Sequence, residues 1–285
     1  MLHGQVLRRT AGAGLACVAS AAYVVSEYRD WALLFEDAQV AERDLPSTAV
    51  AQRSRVVAVP GALSPEDIAG VEAFHGRHGR SLGTSGRTEG NGSAAFKTGR
   101  WETSFLHTSG LARRELGATL DALKAHVVAA DALSGAPLLA ANGGPIPAEA
   151  LVPRTVERHV VLPGGSLNYP THHDAGSVYT IDVLLCDPAD YGGGVLSTLE
   201  ADGGHEAHAF AKAGDGFVFQ SHKFHSVSPV TRGERRVLVV EYWIGEERTC
   251  AHRCERHWGA CGHTAAHSFW RRALANVADD SLGGS

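Results

Sequence analysis

The stretch 221-SHKFHSVSPVTRGERRVLVVEYW-243 sets His225 ten residues before Arg235, with Pro229-Val230 and Gly233 between them. Gly233 predicts a turn, and the β-branched run behind it predicts a strand over Arg235–Ile244. Alternate residues of an extended chain share a face, so Arg235 points the same way as Val237 and Val239, toward a sheet interior. A guanidinium aimed into an apolar layer needs a buried anion, because an unpaired buried charge is very costly. That anion is either a carboxylate of the chain, with Asp182 and Glu241 as candidates, or a ligand.

Outward from this stretch, the hydrophobic period after Pro145 is two. Strands are predicted at Arg158 to Leu162, Val178 to Leu185, Val195 to Leu199 and Gly216 to Gln220, each bounded by Gly, Pro or Asp. Several short strands separated by turns point to a double-sheet roll or barrel. Before Pro145 the chain reads as mostly helical. Helices are expected over Tyr28 to Asp44, from Pro65 with Ser64 as its cap, and over Leu111 to Leu133. Val56 to Val59 reads as a short strand and the polar, glycine-rich segment Gly79 to Gly92 as a loop.

Composition is that of an ordinary globular chain, with 44% hydrophobic and 20% charged residues. The net charge of -5 is spread without long runs, which gives no surface for tracking phosphates, so no nucleic acid partner is expected. Arg8 and Arg9 precede an uncharged stretch, Ala11 to Val25, too short for the roughly 20 apolar residues of a bilayer span. It reads as a signal peptide or signal anchor, placing the chain in the secretory pathway with membrane anchoring through this segment. An organelle transit peptide and an ordinary N-terminal segment are the other readings.

Metal-ligand chemistry enters with 168-NYPTHHDAGSVYTIDVLL-185. His172 and Asp174, one residue apart, start on one side of an extended chain, and His225 supplies a second imidazole. Two His and one carboxylate suit one face of an octahedral Fe(II) ion with the opposite positions open; on ligand type alone zinc competes. With 16 histidines in the chain, His-x-Asp by itself arises readily by chance, so the distal motif carries the weight. His173 projects the opposite way and reads as a supporting or surface residue.

His172-x-Asp174, about fifty residues, then His225-x-Val227-x-Pro229-Val230-x-x-Gly233-x-Arg235 resembles the iron- and 2-oxoglutarate-dependent dioxygenases of the prolyl 4-hydroxylase-like branch. "AGDGFVFQS" ahead of His225 and the "YGGG" turn at Tyr191 strengthen the likeness, which covers roughly Val56 to Ile244. The resemblance implies an α+β chain with a double-stranded β-helix (jelly-roll) core and supporting N-terminal helices. It implies Fe(2+) held by His172, Asp174 and His225, and 2-oxoglutarate held at its C5 carboxylate by Arg235. O2 is then a cosubstrate, and L-ascorbate an optional accessory. The implied reaction hydroxylates a C–H bond of a peptidyl residue such as proline, with release of succinate and CO2. A small-molecule or lipid hydroxylase and a non-catalytic metal-binding interaction module are the alternatives. Asp174 stands where a halogenase would carry a small residue. The branch commonly places a tyrosine nine or ten residues before the first metal histidine; here those places hold Pro163 and Leu162, and Thr180 is the substitute expected to assist 2-oxoglutarate.

The expected organisation is a targeting segment over 1–26, a helical support region over 27–150, the catalytic core over 151–245 continuous with 56–150, and a Cys/His-rich tail over 246–285. In the tail, Cys250, Cys254 and Cys261 lie among His252, His257, His263 and His267, and a helix is expected over Ser268 to Val277. The cysteine spacings match no common zinc finger, and disulfides that include Cys186, unpaired thiols and structural zinc all remain open.

Overall fold

The computed structural model describes residues 48–87, 100–138, 146–168, 171–254, 256–259 and 261. The expected targeting segment and the helices expected over Tyr28 to Asp44 and Ser268 to Val277 lie outside the described residues, as do His263 and His267. Among the described residues no helix is long and apolar enough to cross a membrane.

In chain order the elements are α1 (Thr48–Ala51), β1 (Val57–Val59), α2 (Pro65–His78), β2 (Gly83–Arg87), β3 (Trp101–Phe105), α3 (Leu111–Glu115) and α4 (Gly117–Leu133). There follow β4 (Leu151–Val161), β5 (Tyr179–Leu184), β6 (Tyr191–Gly193), β7 (Leu196–Leu199) and β8 (His205–His208). The last four strands are β9 (Gly216–Gln220), β10 (His225–Val227), β11 (Val230–Gly233) and β12 (Arg235–Ile244). Seven of these strands form one antiparallel sheet in the order β1-β9-β5-β12-β4-β3-β2. Two smaller sheets, β10-β7-β8 and β11-β6, face it. This is the double-stranded β-helix, with helices on the outer face of the large sheet.

Side-chain alternation along β12 divides the core in two. Leu238, Val240 and Tyr242 pack outward with Ile181 and Val183 of β5 against Val71 and Phe74 of α2 and Leu120, Leu123 and Val127 of α4. Val237 faces inward with Leu184, Phe217, Phe219, Leu196 and Val227, closing the large sheet onto the small ones. Every residue of β5 is buried because both of its faces are covered. Arg235 falls on the inner face, as its parity with Val237 and Val239 predicts.

The start of α2 follows from its sequence. Ser64 Oγ accepts from the Asp67 amide at 3.1 Å, and the Asp67 carboxylate accepts from the Ser64 amide at 3.1 Å. Such a reciprocal box contributes about 1 kcal/mol. A Cβ on Gly233, which has φ +69°, would collide with the Asp190 carbonyl, so the tight step from β11 into β12 requires glycine there.

Three expectations need correction. The segment Gly79 to Gly92 is not a loop throughout, since Gly83–Arg87 is a strand paired along its length with Trp101–Phe105. The region before Pro145 is therefore less helical than its sequence pattern, because it contributes β1, β2 and β3 to the large sheet. Its polar strand β2 has no apolar alternation to announce it; the hydrogen bonds come from its neighbour. The strand expected at Arg158 also begins earlier, at Leu151, and runs through a bulge opposite Glu241/Tyr242, where Arg154 is the extra residue between the paired Pro153 and Thr155.

Candidate metal and anion site

His172 and Asp174 sit in the turn that leads into β5, and His225 opens β10 on the facing sheet. Two backbone bonds join the turn to the segment around His225: the His225 amide donates to the His172 carbonyl at 2.9 Å, and the Asp174 amide to the Ser221 carbonyl at 2.8 Å. The result brings His172 Nε2 to 3.5 Å from Asp174 Oδ1 and His225 Nε2 to 3.8 Å from Asp174 Oδ2. One ligand atom from each residue lies within 4.8 Å of the others. The Nδ1–H of His225 donates to the Lys223 carbonyl at 3.0 Å, which turns Nε2 toward the shared centre. Burial opposes ionisation of Asp174, but His225, His172 and Arg253 outweigh it and hold its carboxyl well below the usual carboxylate range. The His172 side chain is 25% exposed while that of His225 is 6%, so the cluster opens to solvent on the His172 side.

The cavity beside the cluster continues inward between Asp182, Arg235, Val237, Val239, His159, Glu157 and Trp101. Arg235 is 1% exposed, and its Nε and Nη2 have no hydrogen-bond partner. Both candidate internal partners are otherwise engaged or remote. Glu241 takes both forks of Arg253 at 2.8 Å and a bond from Ser177 at 2.5 Å. Asp182 lines the same cavity without an ion pair to Arg235; burial raises its carboxyl to about 6, with Arg235 pulling the other way. The YGGG turn makes room for the guanidinium, since a Cβ on Gly194 would lie 2.7 Å from Arg235 Cδ.

The Thr180 hydroxyl donates to Asp174 Oδ2 at 2.6 Å and meets Ser221 Oγ at 2.9 Å, so it orients the carboxylate. His173 turns away, its ring 5.3 Å from that of His222 and 5.5 Å from that of Phe224. Three polar wall residues were not singled out in the sequence. Trp101 Nε1 donates to His159 Nδ1 at 2.7 Å, and His159 Nε2 meets Glu157 at 2.8 Å. Glu157 and His159 share parity with Val161 on β4; His159 lies within the strand expected over Arg158 to Leu162, and Glu157 joins the same face because the strand begins at Leu151.

No family model matches the chain. A PKHD-type hydroxylase of Rhizorhabdus wittichii is 30% identical over 207 residues, covering 66% of this chain and 77% of the relative. A PKHD-type hydroxylase of Janthinobacterium sp. is 36% identical over 83 residues, 29% of this chain, and the chain spans about a third of the length of the first curated relatives it matches. Among solved structures, a 2OG-Fe(II) oxygenase family oxidoreductase from Burkholderia pseudomallei superposes with TM-score 0.47 at 13% identity, covering 72% of this chain and 88% of that one. A Pseudomonas putida prolyl-4-hydroxylase gives 0.41 at 18%, covering 70% and 99%. Through the long match to the Rhizorhabdus wittichii protein, the chain belongs to the PKHD-type hydroxylases.

Proposed function

We propose that the chain is an Fe(II)- and 2-oxoglutarate-dependent dioxygenase that hydroxylates a C–H bond. The observation that carries this reading is the buried Arg235, with two unpartnered nitrogens, lining the same cavity as the His172–Asp174–His225 cluster. A metal held by two imidazoles and a carboxylate keeps positions open, and a guanidinium in the wall of the same cavity fits a ligand with a second anionic group. Bound iron supplies the oxygen chemistry, in which 2-oxoglutarate is converted to succinate and CO2 and one oxygen atom passes to the substrate carbon.

The chain's own residues bind, orient and exclude water. His225 and Asp174 are held by the Lys223 carbonyl and the Thr180 hydroxyl, so their donor atoms are aimed before metal arrives. Arg235 pairs with the C5 carboxylate. Val237, Val239, Val227 and Leu167 supply the apolar part of the cavity wall, beside the polar Glu157, His159 and Asp182. Substrate and O2 enter on the His172 side, where the cluster is exposed.

For the substrate we propose a peptidyl residue such as proline, supported by the likeness of the distal motif to the prolyl 4-hydroxylase-like branch. The test is succinate formation coupled to oxygen use, with peptides and metabolites screened for the gain of one oxygen atom. A peptide that gains the atom supports the substrate class, and a metabolite that does so replaces it. Dependence on L-ascorbate is read in the same assay. Absence of 2-oxoglutarate binding by the iron-loaded chain would overturn the dioxygenase reading itself.

A further inference from the structure

Outside the cavity, a second group of metal-ligating side chains converges in the C-terminal segment. One donor atom each from Cys250, His252, Cys254 and Cys261 lies within 4.8 Å of all the others. No disulfide joins the described cysteines, and Cys186 is buried away from this group beside the carbonyls of Glu234 and Arg236. The Cys254 and Cys261 sulfurs are 3.6 Å apart, and the Cys261 sulfur is 3.3 Å from His252 Nε2. In a tetrahedral site with zinc–sulfur bonds of about 2.3 Å and zinc–nitrogen bonds of about 2.0–2.1 Å, those edges are about 3.8 and 3.5 Å. The observed separations are close to both, whereas a disulfide needs about 2.05 Å.

The sequence explains how four ligands converge without a finger fold. Cys250, His252 and Cys254 are alternate residues of a short segment that bends over 250–252, and their donor atoms converge there. A turn with Gly259 at φ +74° then brings Cys261 back to them. Arg253, between two of the ligands, projects the other way and takes the bidentate bond to Glu241. The segment is seated by its backbone: the Cys254 carbonyl accepts from Arg154 Nε at 2.7 Å, the His252 carbonyl meets His107 Nε2 at 3.1 Å, and the Ser109 amide donates to the Thr249 carbonyl at 2.7 Å.

We propose that Cys250, His252, Cys254 and Cys261 form a structural zinc site that fixes the tail against the large sheet and holds Arg253 on Glu241. Three thiolates and an imidazole fill the tetrahedron, which leaves no open position, and the softness of the sulfur donors selects zinc over the iron preferred at the other cluster. A three-cysteine group also cannot pair off completely as disulfides.

The test is metal content of the full chain carrying Asp174→Ala, in which the His172–Asp174–His225 cluster lacks its carboxylate. After purification with zinc and dialysis, one zinc per chain is expected, and its replacement by cobalt(II) gives the intense visible bands of a tetrahedral thiolate site. Cys254→Ser with Cys261→Ser in the same background loses that zinc. Should those variants not fold, a mercurial added to the parent chain releases one zinc as the three thiols react. Zinc absent from the parent, zinc retained in the cysteine variants, or a Cys–Cys disulfide found by non-reducing mass analysis would each overturn the proposal.

Discussion

The two clusters bring donor atoms to the same closeness, within 4.8 Å in each, yet differ in nearly everything else. His172, Asp174 and His225 come from a turn and a strand on opposing sheets, offer nitrogen and oxygen, and adjoin a cavity that ends at a buried cation. Cys250, His252, Cys254 and Cys261 come from one segment of twelve residues, offer mainly sulfur, and form a closed set. The first arrangement leaves metal positions for ligands and suits turnover; the second uses every position and suits holding a loop. The difference lies in what surrounds the donors. On the proposed reading, Arg235 and the cavity make one cluster a reaction site, and the backbone seating of the tail makes the other a staple.

If this division is right, damage to one cluster leaves the other metal in place. The largest effect belongs to Asp174→Ala, which removes the anionic ligand; Fe(II) affinity should fall by at least about 1000-fold, while zinc in the tail stays. Iron titration followed by circular dichroism checks it, and loss of both metals together would break the comparison. Arg253→Ala removes two charge-assisted bonds from the buried Glu241 carboxylate. Urea unfolding should show a loss of about 2 kcal/mol, softened by Arg154 at 3.7 Å from Glu241, with Fe(II) affinity little changed. Thr180→Val strips the 2.6 Å bond that orients Asp174 and should weaken Fe(II) binding by roughly 10-fold at unchanged 2-oxoglutarate affinity for the loaded chain. A selective loss of 2-oxoglutarate affinity would instead restore Thr180 as a cosubstrate contact. The smallest effect is that of His173→Ala, whose ring lies against His222 and Phe224; iron affinity should stay within about 2-fold.

The inner half of the fold was legible because its residues declare their environment. The inward parity of Arg235 with Val237 and Val239, the glycine at 233 and the spacing from His225 specify a strand, a turn and a charged site together. The outer strands were not legible. β2 is Gly-Thr-Ser-Gly-Arg, and β8, His-Glu-Ala-His, exposes its first three residues, so neither carries the apolar alternation that marks a half-buried strand. For Thr180 the sequence offers a hydroxyl in place of the absent tyrosine but not which neighbour that hydroxyl meets; Asp174, six residues earlier, folds back onto it. The tail was legible as residue types but not as a site. Its spacing fits no finger, and the fourth ligand arrives only through the turn at Gly259.

The central claim is that Arg235 exists to bind the far carboxylate of 2-oxoglutarate, and it is tested most directly by the affinity of the iron-loaded chain for 2-oxoglutarate. The measurement follows the metal-to-ligand absorption band under anaerobic conditions, for the native chain and Arg235→Ala at equal folded concentration. Truncating one side of a desolvated charge pair costs about 2–5 kcal/mol, so affinity should fall by roughly 30- to several-thousand-fold while Fe(II) binding is unchanged. Unchanged 2-oxoglutarate affinity, with a loss of stability instead, would make Arg235 a structural cation and contradict the account.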